Sequence, residues 1–164
     1  MTSRLPVAVV LAVSCVYVSH AQTPGKSPIE GVWKVAEVQV TGGQGSNPAP
    51  QPGLYIFTRG YYSVMTINAD KPRSVIDVQA AVTTDKDKVA RYEHWSPLTA
   101  NSGTYTVKGT TVTTRPMVAK NEGVMQGPAQ TRDFKIEGTT LWLIQKGGPA
   151  GANTETRTRL TRLE

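Results

Sequence analysis

The chain has 164 residues, of which 38% are hydrophobic and 18% are charged, and its formal net charge is +6. This length is enough for one domain with its own core, so neither disulfides nor a metal are needed to stabilise it. The lysines and arginines are spread singly along the chain, which argues against a nucleic-acid partner and predicts at most weak attraction to anionic surfaces of the cell envelope.

The N-terminus has the pattern of a secretory signal peptide. Arg4 precedes an apolar run from Leu5 to Val18, and small residues surround a cleavage point after Ala21. The run is shorter than the roughly 20 residues of a transmembrane helix, and no later segment is apolar enough to span a bilayer. We therefore predict a periplasmic or secreted protein, with lipid attachment at Cys15 as the less favoured alternative. The predicted parts are a signal peptide at 1–21, a flexible segment at 22–30 and one folded domain at 31–164.

Short runs rich in Val, Ile, Thr, Tyr and Trp recur between glycine-containing breaks, and long helical periodicity is nearly absent. This pattern is typical of an all-β sandwich or barrel. In the first run Trp33 and Val35 share one phase and Val38 has the other, which predicts a bulge near Ala36 or Glu37. The eight predicted strands are Val32–Val40, Leu54–Thr58, Tyr61–Asn68, Gly103–Lys108, Thr111–Val118, Ala129–Glu137, Thr140–Lys146 and Thr154–Leu163.

The connections between these runs alternate between short and long. TRGY, KGT and EGT predict tight hairpins with glycine at a position that takes positive φ. In an up-and-down meander, this alternation places every hairpin at one end and every long loop at the other. We therefore predict an all-β, eight-stranded, up-and-down antiparallel barrel with a closed floor and a loop-rich mouth, where a small ligand would bind.

One short helix is predicted, in the loop between strands three and four. Thr84 and Asp87 form a start that resembles a capping box, and apolar residues recur at helical spacing from Val89 to Trp95 before Pro97 ends the segment. Over the mouth, this helix would act as a lid or plug. The alternative, weighted equally, is a helix that covers an exposed edge of the barrel.

Four segments together resemble the lipocalin-like domain family of secreted bacterial proteins, and they occur in that family's order: GVWKV, PGLYIFTRGYYSV, NSGTYTVKGTTVT and TRDFKIEGTTLWL. The resemblance implies a calycin-type barrel in which Gly31 lets the chain enter without a Cβ clash and Trp33 plugs the floor. An arginine of the last strand would pack on the indole, and Arg159 or Arg162 is the expected partner. Members often carry a histidine pair where this chain has Thr113–Arg115, so an activity that depends on imidazoles is not implied.

Few residues point to catalysis or to a metal. His94 is the only histidine after the signal peptide, and no cysteine remains there. Zinc or copper sites built from His and Cys clusters are therefore not expected, and haem bound by His94 alone is the least favoured alternative. The sequence has no nucleophile elbow and no Walker loop, and its acidic residues are dispersed. We predict no catalytic residues, no metal and no cofactor.

The remaining candidate site is the barrel lumen, with aromatic residues, methionines and one arginine near the mouth. Arg132 shares its strand phase with Phe134 and Ile136 and should point inward. A buried arginine needs a partner, which would be a ligand carboxylate or one of Glu37 and Glu155, and the internal ion pair is slightly favoured. The candidate ligand-binding residues are Tyr55, Phe57, Tyr62, Met65, Trp95, Tyr105, Met117, Arg132 and Trp142.

Three functions fit this interpretation. The leading hypothesis is a carrier or sequestering protein for a small, largely apolar molecule, with or without an acidic head group. The second is a barrel enzyme that positions an apolar substrate for cyclisation or isomerisation, with acid or base help from Tyr62, Tyr105, Arg132 or His94. The third is a filled barrel whose basic exterior contacts envelope polymers through salt-sensitive interactions.

Overall fold

The computed structural model describes residues 26–73, 75–77, 79–148 and 151–164, so the predicted signal peptide lies outside the described residues. These residues form a closed antiparallel barrel of eight strands in which each strand pairs with the next and the last pairs with the first. The predicted fold class is confirmed. The strands are β1 Gly31–Thr41, β2 Gly53–Thr58, β3 Tyr61–Ile67, β4 Leu98–Lys108, β5 Thr111–Ala119, β6 Gln130–Glu137, β7 Thr140–Lys146 and β8 Glu155–Arg162, and the helices are α1 Asp85–Trp95 and α2 Glu122–Gln126.

The two ends of the barrel differ as the connection lengths predicted. Tight hairpins join β2 to β3, β4 to β5 and β6 to β7 at one end, and their glycines Gly60, Gly109 and Gly138 have φ values of 85°, 58° and 58°. Glycine takes these left-handed values at no steric cost. The longer connections all lie at the opposite end, which we call the mouth, and the hairpin end is the floor.

The predicted bulge in β1 is confirmed and sets which residues face the lumen. Val35 pairs with Leu160, but the next pair is Glu37 with Arg159, so the register shifts by one residue between them. A shift of one residue moves the following side chains to the other face of a strand. Val38, which is out of phase with Val35, consequently also faces the lumen and lines its upper part.

β4 begins earlier than the sequence predicted, at Leu98 instead of Gly103. Its first residues pair with the mouth end of β3, from Val64 opposite Asn101 to Ile67 opposite Leu98. This pairing overrides the weak strand propensity of an Ala-Asn segment. Gly103 lies inside the strand, where a Cβ atom would clash with the carbonyl oxygen of Arg115. The short helix α2 was not predicted either.

The core fills the floor half of the barrel. Among its members Ile29, which precedes β1 and was expected in the flexible segment, has no exposed surface. Ile29 therefore packs with the core of the barrel although it precedes the first strand. The buried core residues are Ile29, Trp33, Val35, Phe57, Tyr62, Val64, Tyr105, Val112, Phe134, Leu141, Leu143 and Leu160.

Helix α1 forms where it was predicted, with the capping box between Thr84 and Asp87, but it packs neither as a lid nor as an edge cover. None of its residues is buried, and its apolar stripe Val89, Tyr92 and Trp95 is exposed. Its C-terminal end is bound by the Lys120 ammonium, which donates to the carbonyl oxygen of Trp95. Neither helix in the described part of the chain has the length and apolar character needed to cross a bilayer.

Candidate functional site

The lumen is open above its filled lower half and contains two connected spaces. The mouth chamber, of about 490 Å³, lies beneath the long loops and is walled by β1, β7 and β8 and by residues of the loops that follow β1 and β3. Beside it lies a second space of about 60 Å³, the deep chamber, whose lining runs from Phe57 and Val112 near the floor to Thr66 and Thr99 at the mouth ends of β3 and β4. The residues Tyr55, Thr66, Arg132 and Leu143 line both spaces and form the neck between them.

Below the chambers, Trp33 closes the floor. Its indole is fully buried, and Nε1 donates a 2.8 Å hydrogen bond to the carbonyl oxygen of Ile29. The Arg162 guanidinium lies 4.1 Å from the ring centroid and also donates to the Glu164 carbonyl at 3.1 Å. Gly31 has a φ of 143°, and a Cβ there would stand 2.5 Å from that same Glu164 oxygen. The floor is thus a packed cation–π plug that requires glycine beside it.

Arg159, the other expected partner of Trp33, lies elsewhere. Its Nε donates to Glu37 Oε2 at 2.8 Å, on a part of the β1–β8 ladder that is accessible to solvent. Gln39 Nε2 donates to the other carboxylate oxygen at 2.9 Å. The hydrogen bonds from Gln39 and Arg159 hold the pKa of the Glu37 carboxyl below its usual value. Glu37 is therefore satisfied by groups outside the lumen.

Arg132 points into the neck as predicted from its strand phase, but its predicted internal ion pair is wrong. Glu37 pairs with Arg159, and Glu155 pairs with Arg157. Within the described residues no carboxylate oxygen lies within 4.0 Å of the Arg132 guanidinium. Its contacts are with two amides, Nε with Gln145 Oε1 at 3.2 Å and Nη2 with Gln130 Oε1 at 3.5 Å.

The deep chamber is surrounded by neutral polar groups. The Tyr62 hydroxyl donates to Asn101 Oδ1 at 2.7 Å, and the Thr114 hydroxyl donates to the Gln130 carbonyl at 3.3 Å. Burial raises the pKa of the Tyr62 hydroxyl, so it remains a neutral donor at neutral pH. Both hydroxyl protons are thus bound by acceptors of the chain, and the lining of the deep chamber contains the Arg132 guanidinium and no acidic residue.

Aromatic rings form the wall between the core and the chambers. Phe57 stacks on Tyr55 with ring centroids 6.4 Å apart. The rings of Phe57 and Tyr105 form an edge contact with centroids 5.2 Å apart. Tyr55 and Phe57 line the deep chamber, but Tyr105 lines neither space. The prediction that Tyr105 lies near the mouth is wrong, because β4 starts earlier than expected and carries this residue towards the floor.

Four further candidates lie outside the lumen, which corrects their predicted positions. Met65 alternates with the inward-facing Tyr62 and Val64 series, and Trp142 alternates with the buried Leu141 and Leu143, so both point outward. The exposed fractions of Met65, Met117 and Trp95 are 56%, 68% and 44%. Met117 lies at the register shift between β4 and β5, between the paired residues Pro116 and Val118, and Trp95 lies on the unburied helix α1.

Several polar residues of the lumen were not among the predicted site residues. Gln130 precedes Arg132 by two positions, and Gln145 follows the buried Leu143 by two, so strand alternation alone places both amides inward. The alternation of inward and outward residues in β6 and β7 could therefore have predicted both amides from the sequence. Asn101 was not predictable in this way, since it precedes the expected start of β4.

Metal-ligating residues do not come together in the described part of the chain, where no group of three or more His, Cys, Asp or Glu side chains could hold an ion. His94 lies on α1 with its ring edge-on to Trp95 at 5.8 Å, outside both chambers. The donors that converge in the lumen are amides, hydroxyls and one guanidinium. Such a set suits a polar group of an organic molecule better than a metal ion.

Comparison with known proteins gives structural matches only. A lipocalin-like protein from Bacteroides uniformis is similar at 15% sequence identity and a TM-score of 0.46, with 82% of this chain and 97% of that chain covered. An uncharacterized protein from Bacteroides eggerthii is similar at 10% identity and a TM-score of 0.43, with 81% and 98% covered. No family model and no curated protein match this chain.

Proposed function

We propose that the protein binds one small, largely apolar molecule in the mouth chamber. The observation that carries this proposal is the open space of about 490 Å³ above a closed, densely packed floor. Sites for small molecules are typically concave spaces of about 300–1,000 Å³ with mostly apolar walls and a few convergent polar groups. A completely filled barrel would leave no such space.

The walls of the mouth chamber have the corresponding chemistry. Val35, Val38 and Leu143 supply aliphatic surface, and Tyr55 adds an aromatic face at the neck. Polar side chains lie at the loop rim, on β8 and at the neck, and they include Gln44, Asn47, Gln51, Asn68, Asp70, Thr156, Thr158 and Gln145. A molecule that enters from the mouth would pass the polar rim, bury apolar surface against the strands, and meet further hydrogen-bonding groups at the neck.

A titration with N-phenyl-1-naphthylamine, an uncharged apolar fluorophore, tests this proposal. We expect saturable binding of one probe per barrel, with a rise in fluorescence as the probe leaves water. Thr158 lines the mouth chamber, so Thr158→Trp should fill part of the space and weaken binding at least tenfold. Thr106→Trp is the matched control, because Thr106 is exposed on β4.

Two results would overturn the proposal. One is the absence of saturable binding to the unchanged protein. The other is equal loss of binding in both tryptophan variants while both keep the thermal unfolding midpoint of the parent, since the probe would then be held outside the mouth chamber.

We also propose that the protein works in the periplasm or outside the cell, on the basis of the signal-peptide pattern before Ala21. Mass spectrometry of the protein isolated from cells that make it is the test. A chain that starts at Gln22 supports export with cleavage. A cytosolic chain that retains Arg4 and the apolar run would contradict it.

A further inference from the structure

We infer that the neck of the lumen is a subsite for a single carboxylate, so that the bound molecule is an apolar monocarboxylic acid held with its acid group inward. This inference rests on the proposed function and specifies the class of ligand that the same site takes. It begins from the charge of Arg132, which no acidic group of the described chain neutralises at close range.

A half-buried guanidinium is costly to keep without a counter-charge. The two nearby glutamines accept hydrogen bonds from Arg132 through their oxygens, but they are neutral and leave the charge uncompensated. Arginine presents a planar fork of donors that matches a carboxylate in two parallel hydrogen bonds. An acid group of the ligand would therefore supply what the chain itself lacks at this position.

The sizes of the two chambers determine the orientation. The deep chamber, at about 60 Å³, has room for one polar head group or a few water molecules, whereas the mouth chamber has about 490 Å³. An apolar body fits only in the larger space. Because Arg132 lines both spaces, the acid group points into the deep chamber, on the side of the Asn101 amide, and the body extends into the mouth chamber.

The charges that line the lumen favour one acid group over two. Arg132 is the single cationic residue among the lining residues of either chamber in the described chain. Asp70 lies at the wall of the mouth chamber and is exposed. A second carboxylate at the far end of the ligand would approach Asp70, and like charges disfavour that arrangement.

The test compares sodium octanoate with 1-octanol, which shares its apolar chain and lacks the charge, by isothermal titration calorimetry. The measured quantity is the ratio of the two association constants in each protein. Because hydrogen bonds to charged groups are strong, Arg132→Gln should lower this ratio about 10- to 100-fold, chiefly by weakening the binding of octanoate. Arg115→Gln removes the same charge from an exposed position of β5 and should leave the ratio within about threefold.

Suberate, the dicarboxylate of the same chain length, is the second probe. We expect it to bind at least several-fold more weakly than octanoate, with part of the difference removed in Asp70→Asn. Suppose that 1-octanol binds but Arg132→Gln lowers the ratio of the octanoate and 1-octanol association constants no more than Arg115→Gln does. The carboxylate subsite is then refuted, and the apolar binding site remains. If neither octanoate nor 1-octanol binds to any of these proteins, the proposed function itself fails.

Discussion

Trp33 stabilises the barrel through several contacts at once, because it lies where the first strand, the last strand and the preceding segment meet. Its indole is buried, its N–H is bonded to Ile29, and the Arg162 guanidinium covers its face. Trp142 offers a comparison within the same chain, since it projects from the outer face of β7 and is only half-buried. The two indoles should therefore differ in what they contribute to stability.

Replacing Trp33 with phenylalanine should lower the free energy of unfolding by about 2–4 kcal/mol, because it leaves a void and an unsatisfied buried carbonyl. Trp142→Phe should cost less than about 1 kcal/mol. Urea unfolding followed by circular dichroism measures both. Equal losses in the two variants would show that the floor plug has no special role.

Glu37 links stability to pH through its hydrogen bonds with Gln39 and Arg159. These bonds lower the pKa of its carboxyl in the folded protein relative to the unfolded chain. A group of this kind contributes stability that is fully present above its unfolded pKa, about 4.3, and is lost as the pH falls through the lower folded value.

Glu37→Gln should therefore be less stable than the parent protein at pH 7, and the difference should shrink as the pH falls below about 4. Urea midpoints at pH 7 and pH 3 measure this effect, with Glu93→Gln on the exposed surface of α1 as the control. A difference that stays constant across this range would exclude the ionised Glu37 carboxylate as its source.

At the scale of single elements, the hairpins and the β1 bulge were predictable because local residues determine them. Gly60 in its turn and the phase change after Val35 are visible in a few neighbouring letters. The start of β4 was not, since residues from Leu98 onward are extended because β3 pairs with them. Because β4 was expected to start later, Tyr105 was predicted to lie near the mouth, whereas it lies near the floor.

Helix α1 shows the same distinction between local and tertiary information. Its capping box followed from two residues three apart, and Asp87 Oδ2 accepts from the Thr84 amide at 2.9 Å. Its predicted contact with the barrel depended on loop geometry that the sequence does not encode locally. Because no residue of α1 is buried, we expect the helix to open without unfolding the barrel.

Thr84→Ala tests this independence. Loss of the cap costs a helix about 1 kcal/mol, so amide exchange within Asp85–Trp95 should accelerate about fivefold. The thermal midpoint of the barrel should not change. A parallel drop in that midpoint, absent in the control Thr106→Ala, would instead show that α1 and the barrel unfold together.

At the scale of the whole molecule, the division into a filled floor and an open mouth follows from where the large side chains occur. Trp33, Phe57, Tyr105 and Phe134 lie in the buried core, whereas valines and threonines line much of the upper wall. The sequence predicted the closed floor and the open mouth from connection lengths. The sequence does not predict that Arg132 lacks a carboxylate partner. That outcome depends on the β1–β8 register, which places Glu37 opposite Arg159.

The most direct test of a ligand-binding mouth chamber is a crystal structure of the protein with N-phenyl-1-naphthylamine bound. We predict electron density for one probe above the neck, in contact with Val38, Tyr55 and Leu143, with the floor around Trp33 unchanged. An empty mouth chamber, with the probe bound on the exposed apolar stripe of α1 or on the outer face near Met65, would contradict ligand binding in the mouth chamber.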